Sequence, residues 1–132
     1  MLVLDASVAI RILDAGANRG PIAASEQLVA PPLLFSEVPS ALRQAVWRGA
    51  RSPESVRPLL ARLSDETIVE RRGHPELIEA AWELAEQLGW AKTYDAEYVA
   101  LASLLDCRLL TLDGRLRRGA GALGFVITPA EL

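Results

Sequence analysis

Short apolar runs alternate along this chain with longer stretches in which apolar residues recur at helical spacing. The runs lie at residues 1–4, 27–30, 67–70, 108–112 and 124–128. Runs of this kind predict strands buried on both faces, and strands that alternate with helices form a parallel sheet. The pattern therefore predicts an α/β fold, a three-layer α/β/α sandwich around a mainly parallel sheet of four to five strands.

Helices are predicted between these strands by apolar spacing and by residues that start or stop helices. The expected ranges are 6–13, 32–50, 53–63, 75–88, 94–105 and a short arginine-rich helix from 116, with one helical turn at 21–25. Asp5, Ser52 and Thr93 stand where N-caps are expected, and Gly89 stands where a glycine ends a helix. Ile78 is among the residues expected to face inward from the fourth of these helices.

The stretch from Thr93 to Asp113 combines helix, strand and carboxylate signals. Asp95 falls in the first turn of its helix, where the helix dipole favours a negative charge. It shares a face with Tyr98 and Ala102, so its carboxylate is expected on the core-facing stripe. Asp113 then stands at the carboxyl end of the strand predicted at 108–112.

Asp5 likewise follows an apolar strand, so two aspartates are expected at the carboxyl ends of parallel strands. In open parallel α/β sheets, ligands bind outside these ends, where the strand order reverses. Glu37 lies inside the apolar stripe of the helix predicted at 32–50, and Asp95 lies early in another helix beside the sheet. The four carboxylates are therefore expected to share one acidic pocket at this edge.

Each of these carboxylates also has an ordinary explanation when it is taken alone. Asp5 and Asp113 can be helix caps or turn residues. Glu37 can be a solvated helix residue, and Asp95 can satisfy free amides of a first helical turn. The shared position favours the joint interpretation, because several buried carboxylates repel one another unless a cation neutralises them.

Composition fits a globular protein with a sizeable core. The chain has 132 residues, of which 51% are hydrophobic and 23% are charged, and this suits one domain over residues 1–132. No apolar run approaches the roughly 20 residues of a membrane span, and no basic lead precedes the first run, so neither a membrane segment nor a signal peptide is expected. A single cysteine, Cys107, excludes an intrachain disulfide and favours a cytoplasmic location.

The net charge of −3 argues against a broad basic surface for nucleic acid, although a local basic rim is compatible with it. Arg115, Arg117 and Arg118 follow Asp113 directly and are candidates for nucleic-acid binding through phosphate contacts at the rim of the site. A solvated run of charges is the alternative for these three arginines.

The acidic pocket suits a hard divalent cation. Mg²⁺ takes oxygen ligands, uses few carboxylates and keeps several waters. One histidine and one cysteine cannot build a typical zinc site. A divalent ion in such a pocket polarises a phosphodiester and lowers the pKa of a water molecule for attack.

Four segments of the chain resemble the PIN-domain ribonucleases. They are the aspartate after the first strand, Glu37-Val38-Pro39-Ser40-Ala41-Leu42, Tyr94-Asp95-Ala96 followed by Ala100-Leu101-Ala102, and Leu110-Thr111-Leu112-Asp113. Their order and spacing match over essentially the whole chain, and the chain is most similar to the VapC-type toxins of prokaryotic toxin–antitoxin pairs. Pro39 departs from the family, which more usually has another residue there.

This resemblance implies a Mg²⁺- or Mn²⁺-dependent endoribonuclease. Its catalytic and metal-ligating residues carry over onto Asp5, Glu37, Asp95 and Asp113, and its small hydroxyl positions near the metal carry over onto Ser7 and Thr111. Asp5 and Asp95 are expected to hold the principal ion. Asp113 and Glu37 are expected to be further ligands, either directly or through water.

The resemblance also implies partners. VapC-type proteins pair as homodimers, act on RNA, and are silenced by a VapB-type antitoxin whose tail can place an arginine in the acidic pocket. Two alternatives stay open: a catalytically silent PIN-like protein that only binds its partner, and a phosphatase of the haloacid dehalogenase kind. The phosphatase chemistry usually needs a second aspartate two residues after the first, where this chain has Ser7.

Overall fold

The computed structural model describes residues 1–132 and contains a five-stranded, all-parallel sheet with helices on both faces. The strands are β1 (Leu2–Leu4), β2 (Leu28–Ala30), β3 (Glu70–Arg71), β4 (Arg108–Leu110) and β5 (Val126–Ile127). The α-helices are α1 (Ala6–Ala15), α2 (Leu34–Trp47), α3 (Pro53–Leu63), α4 (Leu77–Leu88), α5 (Tyr94–Leu104) and α6 (Gly114–Ala120). Two short 3₁₀ helices follow at Gly121–Leu123 and Pro129–Glu131. The three-layer α/β/α prediction is thereby confirmed.

The strand order is β3-β2-β1-β4-β5, with β1 in the centre. The chain adds β2 and β3 on one side of β1 and then crosses to add β4 and β5 on the other side. The order therefore reverses between β1 and β4, whose registered ends are Leu4 and Leu110. A crevice for ligands is expected beyond these two strand ends.

The core lies on both faces of this sheet. Val3, Val29 and Leu109, at the middle of three neighbouring strands, are fully buried. Helix α1 packs with α2 and α3, while α4 packs on α5, which also covers β1 and β4. Because both faces are covered, the strands read as continuous apolar runs rather than as alternating ones.

The third strand is displaced from its predicted position. Residues 66–68 form a turn, and the only paired residues are Glu70 and Arg71. The Asp65 carboxylate accepts hydrogen bonds from the backbone N–H of Thr67 at 2.9 Å and from its hydroxyl at 2.7 Å. Such a side-chain turn competes with strand pairing, and the apolar pattern alone did not reveal it.

Helix boundaries lie within three residues of the predicted ones: α2 is shorter at both ends than the predicted 32–50, α4 begins at Leu77 rather than at 75, and α6 begins at Gly114 rather than at 116. Ser52 caps α3 through the backbone N–H of Ser55, and Gly89 ends α4 in the left-handed conformation at φ 70°. Thr93, however, makes no capping hydrogen bond because its backbone is already helical, at φ −99° and ψ −3°. The helical turn expected at 21–25 is a series of non-helical turns.

The inward face of α4 is also narrower than predicted. Leu77, Ala81 and Ala85 are buried, whereas Ile78 is 84% exposed. Trp82, one turn further along, is exposed on the same side. None of the helices combines the length and the apolar composition that crossing a bilayer requires.

Truncation of the Leu101 side chain tests how much the buried face of α5 contributes to stability. Leu101 is fully buried, so Leu101→Ala should lower the free energy of unfolding by about 2–5 kcal/mol through lost burial and a cavity. The matched control, Ile78→Ala, should change it by less than about 0.5 kcal/mol. Urea unfolding followed by circular dichroism measures both, and equal losses would contradict the burial assigned to α4 and α5.

Candidate active site

Asp5 begins the site because it is a buried carboxylate at the point where β1 becomes α1. It is the N-cap of α1, and its Oδ1 accepts a hydrogen bond from the backbone N–H of Val8 at 3.1 Å. The same oxygen accepts from the Ser7 hydroxyl at 2.5 Å. Only 5% of Asp5 is exposed, so these donors replace water around a charge that burial would otherwise disfavour.

Two hydroxyls connect Asp5 to the end of β4. The fully buried Thr111 donates its hydroxyl hydrogen to Asp5 Oδ2 and accepts at 2.9 Å from the backbone N–H of Asp113. The Ser7 hydroxyl accepts at 2.9 Å from the backbone N–H of Leu112. Both hydroxyls therefore hold the carboxylate and fix the chain that leads to Asp113.

Asp113 leaves β4 and caps the next helix. Its Oδ1 accepts from the backbone N–H of Arg115 at 2.8 Å, as expected for the N-cap of α6. Its negative charge raises the pKa of both Asp5 and Asp95. The helix-cap explanation and the shared-pocket explanation thus both apply to this residue.

Glu37 and Asp95 approach from the first turns of α2 and α5. Together they line a cavity of about 530 Å³, which also contains Arg115. A larger concavity of about 640 Å³ lies at the far end of α1 and contains none of the four carboxylates. The concavity next to the carboxylates is therefore an open groove and is smaller than the one at the far end of α1.

Tyr98 is a contact to this site that the sequence pattern did not predict. Its ring is buried in the core, as its position on the α5 stripe indicated, and its hydroxyl donates a hydrogen bond to Glu37 Oε1. A buried tyrosine hydroxyl needs a partner, and that requirement was the available signal. The identity of the partner, 61 residues away in the chain, could not be read from local spacing.

Asp5, Glu37 and Asp95 have raised pKa values, chiefly because of burial. For Asp5, burial outweighs the hydrogen bonds from Ser7, Thr111 and Val8 that favour its charge. Burial also raises the pKa of Glu37, and the charges of Asp95 and Asp5 add to the effect. These mutual interactions bring the four predicted residues into one electrostatic site.

Asp95 is exposed, so its carboxylate does not lie on the core-facing stripe as predicted. Partial burial and then Asp113 raise the pKa of Asp95, while Arg115 opposes them. Glu97, which was not among the predicted site residues, has its pKa raised by burial and by the charge of Glu37. The site therefore carries more negative charge than the four predicted residues supply.

The carboxylates are neighbours without forming a closed ligand set. No three Asp, Glu, His or Cys side chains lie close enough together to hold one ion as a group. Oxygen-only donors and uncompensated repulsion fit a hard divalent cation. The open arrangement fits Mg²⁺ in particular, because that ion is usually held by one or two carboxylates and several waters.

The three arginines after Asp113 have different surroundings. Arg115 lines the cavity beside Glu37 and Asp95. Arg117 is paired with Glu131, at 2.8 Å and 3.2 Å, and Arg118 folds back over Gly114. Arg115 is therefore the arginine of this run that directly borders the carboxylates, and an RNA contact by any of the three stays a prediction.

A parallel sheet with carboxylates at its strand-order reversal defines the class of protein. The PIN domain family model matches residues 2–122. The chain belongs to the PIN-domain family.

Curated relatives are also found within this family. The chain is 37% identical over 119 residues to the VapC ribonuclease Mb0985 of Mycobacterium bovis and to Ribonuclease VapC9 of Mycobacterium tuberculosis, with 88% of each chain covered. It is 45% identical over 93 residues to Ribonuclease VapC1 of Mycobacterium tuberculosis, covering 70% of this chain and 67% of the relative. The resemblance to VapC-type PIN proteins is therefore confirmed.

Neutralising Asp95 should stabilise the metal-free protein near neutral pH. Because its pKa is raised on folding, the charged carboxylate destabilises the folded state above that pKa. Asp95→Asn should therefore have a higher Tm than wild type in EDTA at pH 7. The difference should disappear as the pH falls below the ordinary value of 3.8, where both side chains are neutral.

Asp14→Asn is the matched control, with the opposite sign expected. Two hydrogen bonds from Arg51, at 2.7 Å and 2.8 Å, lower the pKa of Asp14 and so stabilise its charged form. Its replacement should lower the Tm at pH 7. A Tm for Asp95→Asn at or below that of wild type at pH 7 would contradict the repulsive environment assigned to Asp95.

Proposed function

We propose that this protein is a metal-dependent endoribonuclease and the toxin of a type II toxin–antitoxin pair. The observation that carries the proposal is the placement of four carboxylates beyond the ends of β1 and β4: Thr111 joins Asp5 to the backbone of Asp113, and Glu37 and Asp95 line one cavity. Its relatives are named as VapC ribonucleases, which supports RNA as the substrate. The whole chain, residues 1–132, would act as one PIN-like domain in the cytoplasm.

The proposed cofactor is Mg²⁺ or Mn²⁺. Asp5 and Asp95 would be its principal ligands, and Asp113 and Glu37 would contribute directly or through water. When bound, the ion would polarise the scissile phosphodiester, stabilise developing charge and acidify a water molecule. Its positive charge would also offset the burial and the mutual repulsion that raise the pKa values of Asp5, Glu37 and Asp95.

The protein's own groups would hold this arrangement in place. Ser7 and Thr111 keep both oxygens of Asp5 in fixed positions through their hydroxyls. Tyr98 fixes one oxygen of Glu37 and leaves Oε2 without a protein donor. That free oxygen, on a carboxyl with a raised pKa, suits the acceptance of a proton during hydrolysis. Arg115 would attract the phosphate backbone to the same cavity.

A VapB-type antitoxin is the proposed protein partner, and a homodimer is the proposed assembly. An antitoxin arginine could enter the acidic site and supply the positive charge that the metal would otherwise supply. Trp47, at the end of α2, is 82% exposed and is the residue we assign to partner contact. Exposed aromatic side chains of this size commonly anchor protein interfaces.

A catalytically silent PIN-like protein that binds only its partner is the second candidate. The observation that favours it is that no three carboxylates are assembled as a ligand group. Against it, all four family carboxylates are retained, and Thr111 and Ser7 still hold Asp5. We therefore rank the nuclease first.

Metal-dependent RNA cleavage tests the nuclease directly. Antitoxin-free protein incubated with total cellular RNA should produce discrete cuts with Mg²⁺ or Mn²⁺ and none with EDTA. Asp5→Asn and Asp95→Asn should slow cleavage by about 100-fold or more, because each removes a ligand of the proposed metal ion, whose positive charge would stabilise the transition state. Asp14→Asn, an exposed carboxylate outside the site, is the control and should cleave at the wild-type rate.

Calorimetric titration with Mn²⁺ separates the two candidate functions. The nuclease should bind Mn²⁺, and Asp5→Asn should weaken that binding. A folded wild-type protein that neither cleaves RNA nor binds Mn²⁺ would reject the nuclease and favour the silent partner-binding protein.

Removal of the Tyr98 hydroxyl tests how Glu37 is positioned. Tyr98→Phe keeps the buried ring but removes the hydrogen bond to Glu37, so cleavage should slow by about 10- to 100-fold while stability falls by only about 0.5–1.5 kcal/mol. Single-turnover cleavage and urea unfolding measure these two effects. A wild-type cleavage rate in Tyr98→Phe would mean that Glu37 does not need this donor.

A further inference from the structure

Tyr94 is an aromatic ring left in solvent directly beside the acidic site. It is the first residue of α5 and is 56% exposed, whereas Tyr98, one turn later, is fully buried. Burial of the core therefore accounts for Tyr98 but not for Tyr94. The next residue after Tyr94 is Asp95, so the ring lies one position from a carboxylate of the site.

Two cavities meet at this ring. One, of about 410 Å³, lies along the start of α2 and is lined by Leu33, Ser36, Ser40 and Gln44. The other, of about 530 Å³, is lined by Trp90, Lys92, Asp95 and Arg115. Glu37 and Tyr94 belong to both cavities. The ring thus stands at the junction of two halves of one groove, with Glu37 at the same junction.

The two halves differ in their chemistry. The half beyond Asp95 carries two cations, Lys92 and Arg115, which suit a phosphate backbone. The half along α2 offers neutral hydroxyl and amide groups from Ser36, Ser40 and Gln44, which suit the edges of a base. An exposed aromatic ring between such halves matches the way in which proteins stack unpaired bases.

Resting on the proposed ribonuclease function, we propose that Tyr94 is a stacking platform for an unpaired RNA base next to the cleaved phosphodiester. The base lies against the ring on the side of Ser36, Ser40 and Gln44. The adjoining backbone passes Glu37 and Asp95 toward Lys92 and Arg115. The substrate class is therefore single-stranded RNA, because a base within a duplex is stacked on both faces and cannot meet the ring.

A protein segment is the other occupant that an exposed tyrosine could receive. The surroundings favour RNA, since two cations and the carboxylates proposed for phosphodiester hydrolysis border the same groove. Tyr94→Ala, Tyr94→Phe and Trp82→Ala form a matched set of variants. Trp82 is the aromatic control because it is 62% exposed and lines neither cavity.

The binding experiment uses a fluorescein-labelled single-stranded RNA of random sequence, and the same RNA annealed to its complement, in EDTA so that no metal-dependent cleavage occurs. Fluorescence anisotropy gives the dissociation constants. Tyr94→Ala should bind the single strand roughly 5- to 150-fold more weakly, the range expected for the loss of one stacked base. Tyr94→Phe and Trp82→Ala should bind like wild type, and the wild-type protein should prefer the single strand to the duplex.

The proposal would be overturned if Tyr94→Ala bound the single strand as tightly as the wild-type protein does. It would also be overturned if the wild-type protein preferred duplex RNA or bound no RNA. A Tyr94→Ala protein that loses affinity only for its antitoxin would also overturn it and would assign the ring to a protein partner.

Parallel cleavage assays with Mg²⁺ keep the two proposals separate. If the wild-type protein cleaves RNA but Tyr94→Ala binds RNA with unchanged affinity, the ribonuclease proposal is supported and the stacking proposal is rejected. If RNA binding depends on Tyr94 but the wild-type protein does not cleave RNA, the RNA-binding groove is supported and the ribonuclease proposal is rejected.

Discussion

The buried carboxylate of Asp5 is the constraint on which the rest of the site depends. A charge that is 5% exposed must be surrounded by donors, and the structure supplies them from Ser7, Val8 and Thr111. Ser7 and Thr111 also connect the segments that follow β1 and β4, the two strands between which the sheet order reverses. The requirement to satisfy one buried charge therefore also determines where Asp113 lies. Burial still outweighs the donors, so the pKa of Asp5 remains raised.

Helix α5 concentrates three different physical roles in two turns. Tyr98 anchors the helix in the core and reaches Glu37, while Asp95 adds charge to the groove. Tyr94 remains exposed at the start of the same helix. A movement of α5 relative to β1 would therefore disturb the core, the orientation of Glu37 and the groove together. This coupling explains why a short helix whose faces differ little in hydrophobicity can determine the geometry of the site.

The ends of β1 and β4 could be predicted from the sequence to within two residues, because they follow from local rules; β4 ends at Leu110 rather than at the predicted Leu112. An apolar run that stops at Asp5 or Asp113 places the carboxylate at the edge of a parallel sheet whatever the packing elsewhere. Contacts that depend on how a helix is rotated about its axis were harder to predict from the sequence. Ile78, for example, fits an apolar stripe but faces solvent. The hydrogen bond from Tyr98 to Glu37 joins elements 61 residues apart, and no spacing rule identifies it. Thr93 has the right residue type for a cap, but its backbone is already helical.

The same electrostatic requirement links the proposed cofactor to the proposed partner. Several carboxylates held close together, with raised pKa values, store repulsion that any suitably placed cation reduces. A divalent ion and an arginine from an antitoxin would both meet this need, so each would bind more weakly in the presence of the other. Arg115 meets it only in part, because its charge lowers the pKa of Asp95 without reversing the upward shift. The site is therefore built to attract a second positive charge, and the source of that charge would decide whether the groove is active or blocked.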